Sequence, residues 1–115
     1  QVSVAGRGQG SDRACAIDSE EGLYCWSDSL DGDFDPDTPA GNFTQVSVGW
    51  DNHTCALDTD GEIHCWDGLN GQGELDAPSG SFTQVSAGAF HSCAIDTEGE
   101  IHCWGSDAYG QSDPP

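Results

Sequence analysis

An all-β fold of three stacked blades, each made of short antiparallel strands, is what this chain predicts. Three observations predict it. Gln45-Val46-Ser47-Val48-Gly49 returns as Gln84-Val85-Ser86-Ala87-Gly88, and a worn copy opens the chain as Gln1-Val2-Ser3-Val4-Ala5-Gly6. The stretch from Cys55 to Trp66 returns from Cys93 to Trp104, and its first version runs from Cys15 to Trp26. No segment carries a helical period of useful length. A repeat of about 40 residues marks an architecture in which one unit cannot bury its apolar face alone.

The repeats divide the chain into residues 1–44, 45–83 and 84–115. The first unit is divergent. Its opening strand is followed by a hairpin from Cys15 to Trp26, folded about Glu20. There the turn glycine has slipped one place, to Gly22, so a different turn is expected. The second unit opens at Gln45 and folds its hairpin about Asp60, between Cys55 and Cys65. The third unit is the most regular. Phe82-Thr83-Gln84-Val85-Ser86-Ala87-Gly88 alternates as a strand ending at glycine. Ser92–Ile95 is a second strand, Asp96–Glu100 a tight turn with Gly99 at its left-handed position, and Glu100–Trp104 the returning strand.

Folding that hairpin about Glu98 sets Asp96 against Glu100, Ile95 against Ile101, Ala94 against His102 and Cys93 against Cys103. Opposed residues bring their Cβ atoms to roughly 4.5–5.5 Å, close to what a disulfide needs. The same geometry pairs Cys55 with Cys65 and Cys15 with Cys25. Alternation puts the disulfide and both Ile on one face, and Ala94, His102 and Trp104 on the other. Both faces are bulky and need cover, which fits stacked blades. After each Trp comes a polar loop containing proline, Ser27–Pro39, Asp67–Ser79 and Gly105–Pro115, which no central strand tolerates.

The chain carries 21 acidic residues against Arg7, Arg13 and no lysine, for a net charge of −19. Such a surface repels nucleic-acid phosphate and anionic lipid. It keeps a protein dispersed, and salt screening would relieve its self-repulsion. Six cysteines in three equal pairs point to an oxidising, extracellular compartment. No run is apolar enough to span a membrane. The chain opens at Gln1, just past the Phe-Thr of a repeat, and ends at Pro115, just before one. Something beyond these ends is therefore expected to continue the pattern: adjoining repeats, or copies of the chain itself.

Phe-x-x-Val-Ser-x-Gly-x-x-His-x-Cys-Ala-Ile/Leu, then Asp-x-x-Gly-x-Ile-His-Cys-Trp-Gly, then Tyr-Gly-Gln resembles the repeat of the regulator-of-chromosome-condensation family. Residues 82–111 match nearly throughout, 43–73 closely and 1–34 more loosely. The resemblance implies a β-propeller, of which the chain would be an open fragment, or a piece of a larger repeat assembly. Propellers typically close with about four to eight blades. The family's eukaryotic namesake acts on chromatin and on a small GTPase. The acidic surface and the expected disulfides argue against carrying either activity over.

Asn42-Phe43-Thr44 and Asn52-His53-Thr54 are acceptor sequons for N-glycosylation. Asp31, Asp33, Asp35 and Asp37 offer carboxylates at alternate positions, a pattern that can wrap Ca²⁺. The EF-hand glycine and final glutamate are absent there, so a solvated acidic loop is the plainer reading. His64-Cys65 and His102-Cys103 invite a zinc reading, but neighbouring strand residues point to opposite faces. His53 and His91 read as hydrogen-bonders within their own repeat. Trp26, Trp66 and Trp104 recur with the unit and read as inter-blade packing, and Trp50 as a loop contact or a surface for sugar stacking. No catalytic constellation stands out, so no enzyme is expected.

The chain therefore reads as an extracellular structural module, a glycoprotein that self-associates blade on blade into a ring or filament. The alternative is a secreted propeller hub that binds a protein or glycan through its loops. A hydrolase is the most distant reading.

Overall fold

The computed structural model describes residues 2–5, 13–27, 38–49, 53–66, 77–88 and 91–105. Among them are nine strands and no helix: β1 (Val2–Ala5), β2 (Arg13–Ile17), β3 (Leu23–Ser27), β4 (Phe43–Val48), β5 (Thr54–Asp58), β6 (Ile63–Trp66), β7 (Phe82–Ala87), β8 (His91–Asp96) and β9 (Ile101–Gly105). They form three antiparallel sheets, β1-β2-β3, β4-β5-β6 and β7-β8-β9. Each is one small blade, and the all-β expectation holds.

The hairpin register is the one set by folding each repeat about its turn. Cys15 faces Cys25, Cys55 faces Cys65 and Cys93 faces Cys103. All three pairs are bonded, with Cα atoms 4.1 Å apart. That closeness has a cause in the ladder. Asp58 N donates to Glu62 O and Asp96 N to Glu100 O, so pairs three residues further in fall on non-hydrogen-bonded sites, where side chains approach most closely.

The expectation of a different first turn is overturned. Asp18 N donates to Gly22 O and Glu21 N to Asp18 O, the same pattern as Asp58 with Glu62 and Gly61. The slipped glycine does not move the turn. Instead Glu21 takes the left-handed position, at φ 70°, which Gly61 and Gly99 hold at 86° and 84° in the other blades. The ladder dictates the turn, and the local residue bears the steric cost.

A second departure lies in the first strands. Phe43 pairs with Asp58 but Gln45 pairs with Leu57, so Thr44 is an extra residue; Thr83 repeats this between Phe82 and Gln84. Such a bulge reverses the alternation. Phe82 therefore lies on the face of Val85 and Ala87, not that of Gln84 and Ser86. The displaced threonines are not idle: Thr44 and Thr83 hydroxyls donate to Leu57 O and Ile95 O.

The blades stack through their first strands. β4 lies against β1 and β2, and β7 against β4 and β5. Cys15, Leu23 and Cys25 of the first blade pack on Phe43, Val46, Val48 and Ala56 of the second, with Trp66 alongside. Cys55 and Leu57 of the second pack on Phe82, Ala94 and Trp104 of the third, with Ile63, Cys65 and Val85 alongside. At both junctions, then, a disulfide face meets the tryptophan face of the blade after it.

Candidate functional site

The residues that join one blade to the next are polar as well as apolar. Gln45 and Ser47 sit on the disulfide face of β4, where a plain core would hold hydrocarbon. The Gln45 amide donates to Thr83 O at 2.7 Å, and its Oε1 accepts from Val85 N at 3.1 Å. Ser47 Oγ accepts from Ala87 N at 3.0 Å. The outward backbone groups of β7 are therefore satisfied by side chains of the preceding blade, which removes the cost of burying them. At the turn end, Phe43 N donates to Glu21 O and Phe82 N to Gly61 O. The left-handed turn residue of each of the first two blades thus anchors the strand that starts the next.

His53 bonds within its own repeat, its carbonyl accepting from Gly49 N as the sequence led one to expect, and its ring also belongs to this junction. Its ring is fully buried, and Nε2 lies 3.0 Å from Ser92 Oγ of the following blade. Gly49 makes room for it, since a Cβ there would strike the His53 ring and lie 2.5 Å from Gly88 O.

The third blade repeats this equipment, and among the described residues nothing is laid on it. Gln84 and Ser86 correspond to Gln45 and Ser47, yet both are exposed. Around them is a shallow depression of about 220 Å³ lined by Gln84, Val85, Ser86, Ala94, Ile95 and Ile101, beside Cys93. Ile101 is 47% exposed, and Tyr24 on the tryptophan face of the first blade is 45% exposed. Among the described residues these are the exposed large hydrophobic side chains, one at each end of the stack.

A second cluster lies in the hairpin turns. Asp58 Oδ1 accepts from the amides of Asp60 and Glu62, and Asp96 Oδ1 from those of Glu98 and Glu100, all at 2.9 Å. Oδ2 of each lies 2.9 Å from Nε2 of His64 or His102. The rings meet Phe43 and Phe82 edge-on at 5.5 and 5.4 Å, a contact that exists only because the bulges turn those Phe side chains over. Asp18 accepts from Glu20 and Gly22 in the first blade. Burial raises the Asp58 carboxyl, but the bonds from His64 and the two amides outweigh it and hold it below the usual range. The bond from His102 and the Glu100 amide lower Asp96, and the Gly22 and Glu20 amides lower Asp18.

Of the residues singled out in the sequence, the six cysteines form the three staples, Trp66 and Trp104 pack between blades, and Trp26 is partly buried on the outer face of the first blade. His64 and Cys65 point to opposite faces, as alternation requires, and Cys65 is oxidised. Asn42 is exposed beside the turn of the first blade, its backbone bridged to Gly22. Asn52, Trp50 and the carboxylates of Asp31, Asp33, Asp35 and Asp37 lie outside the described residues. Sequence reasoning missed the Asp–His turn cluster and the Gln–Ser junction. Their signal was present as polar residues that recur with the repeat: Asp-x-x-x-Glu-x-His twice, and the Gln and Ser of Phe-Thr-Gln-Val-Ser in both regular repeats.

The profile of the regulator of chromosome condensation (RCC1) repeat matches residues 43–74 and 82–111, more than half of the chain. No curated protein matches by sequence. Among solved structures, Prp20p of Saccharomyces cerevisiae, a protein that binds Gsp1p and histones, superposes with a TM-score of 0.72 at 20% identity, over 87% of this chain and 30% of that one. The CRINKLY WD40 ectodomain of the Arabidopsis thaliana receptor kinase ACR4 superposes at 0.70 and 21%, over 92% and 42%. The C-terminal domain of gp131 from bacteriophage phiKZ superposes at 0.68 and 17%, over 94% and 36%. The chain spans less than half the length of each, and at these identities the likeness is one of fold.

Proposed function

This chain belongs to the regulator of chromosome condensation (RCC1) repeat family, and on that premise we propose that it is an extracellular, non-catalytic protein-binding module whose partner at each open end is another blade of its own kind. The observation that carries this reading is the third blade's disulfide face. Gln84, Ser86 and Ile101 stand exposed there in the positions by which Gln45, Ser47 and Ile63 of the second blade receive the third. Tyr24 exposes the complementary face of the first blade. Two such unlike ends invite a head-to-tail contact, which gives a ring if the rotation closes and a fibre if it does not. An adjoining repeat of a longer chain would meet the same face in the same way.

Three disulfides and the likeness to the ACR4 receptor-kinase ectodomain support the extracellular setting. The exposed Asn42 is a glycan acceptor in that setting. In a secretory host Asn42→Gln should lower the mass of the chain by one glycan, whether or not Asn52 is also modified, and a mass unchanged apart from the substitution itself would refute the assignment. The reading of a hub for other proteins draws on Prp20p, which binds Gsp1p and histones.

Sedimentation velocity across a concentration series separates these outcomes. Assembly gives a mass that climbs above 12.0 kDa with concentration, in discrete rings or in fibres visible by negative stain. A compact 12.0 kDa particle at every concentration, melting independently of it, overturns the proposal.

A further inference from the structure

Asp58, Glu62 and His64 project from one face of the β5–β6 hairpin, and Asp96, Glu100 and His102 from the same places on β8–β9. In each set one oxygen of each carboxylate and a ring nitrogen lie within 4.8 Å of one another. The ladder explains the convergence. Asp58 N bonds Glu62 O, so those residues face each other, and His64 follows two positions later on the same side. The aspartate divides its labour. Oδ1 is held by two turn amides, which aims Oδ2 at the imidazole, much as outer-shell bonds aim a metal ligand. The glutamate is exposed and long enough to swing.

The first blade shows what the turn itself requires. Asp18 is held by the amides of Glu20 and Gly22 in the same way, yet Gly22 and Tyr24 stand where the other blades have Glu and His. The turn needs the aspartate alone. Glu and His arrive together in two blades and are absent together from the other.

We propose that each of these two sets binds a divalent transition-metal ion of the zinc class, through Asp Oδ2, a Glu oxygen and His Nε2, with water completing the shell. One imidazole and two carboxylates suit Zn²⁺ and its first-row neighbours, whereas Ca²⁺ and Mg²⁺ prefer oxygen alone. Metal–ligand bonds of about 2.0–2.2 Å need donor atoms roughly 3–3.5 Å apart. The Asp–His pair, at 2.9 Å, is nearly there, and the exposed Glu closes the third side. The ion takes the place of the proton shared between ring and carboxylate, which is carried on Nδ1 or released to solvent. The net charge of −19 concentrates cations at the surface.

Calorimetric titration of the oxidised chain with ZnCl₂, in a buffer that does not chelate, should find two sites per chain, and Co²⁺ should give a visible d–d band. Glu62→Gln should leave one site, and the Glu62→Gln/Glu100→Gln pair none. The metal-free double variant should melt where the parent does, because those carboxylates lie outside the turn's hydrogen bonds. No binding by the parent, or binding that survives in the double variant, overturns the proposal.

Discussion

At the scale of single residues, the turns show how a fold overrides local preference. Glu21 occupies a left-handed conformation that its two counterparts assign to glycine. Glu21→Gly should relieve the steric cost and lose only part of the gain to chain entropy. Denaturant titration should show a gain of about 0.5–1 kcal/mol, and a loss would mean that the turn is not strained. The aspartates make a second prediction. Asp18, Asp58 and Asp96 titrate below their ordinary value of 3.8 in the folded chain. As pH falls, the unfolded chain takes up their protons first. Their stabilisation is therefore complete above that ordinary value and is lost as pH drops through the lower folded values. Melting followed from neutral pH downward should show this decline, and Asp58→Asn/Asp96→Asn should make it shallower. An unchanged acid profile in that variant would disprove the linkage.

At the scale of the element, each blade is a hairpin with a third strand laid beside it, stapled across its closest rung. Cys93 and Cys103 lie on the uncovered face, so replacing both by Ser removes the cross-link without emptying an inter-blade core. The loop they close, of sequence separation 10, is worth about 2–3 kcal/mol in the chain-entropy model. A melting curve unmoved by Cys93→Ser/Cys103→Ser would show that the staple does not restrict the unfolded chain. The hairpins were legible in the sequence because a two-residue period about a known turn leaves one register. The bulges were not. Phe82-Thr83-Gln84 reads as unbroken alternation, and only the pairing of Phe82 with Asp96 and Gln84 with Ile95 reveals the extra residue. That hidden shift carries Phe43 and Phe82 onto the rings of His64 and His102.

At the scale of the whole molecule, the stack is directional. Disulfide faces meet tryptophan faces, side-chain amides and hydroxyls cap the next blade's backbone, and the two ends differ. Ile101→Glu places a charge on the uncovered disulfide face without touching either internal junction. In sedimentation it should reduce association at least tenfold in the concentration required, equivalent to about 1.4 kcal/mol, while the disulfides still form. Association unaffected by this change would mean that the chain assembles through some other surface.

The sequence by itself determined the repeat, the three hairpins, the cysteine pairing and which face of each hairpin holds the disulfide, because all of these follow from local periodicity and a turn. The tertiary structure alone decided that Glu21 would adopt a glycine's conformation, that His53 would reach Ser92 across a junction, and that Gln45 and Ser47 would satisfy another blade's backbone. Those outcomes depend on what a neighbouring sheet presents at a few ångströms, and a pattern along one strand carries no measure of that distance.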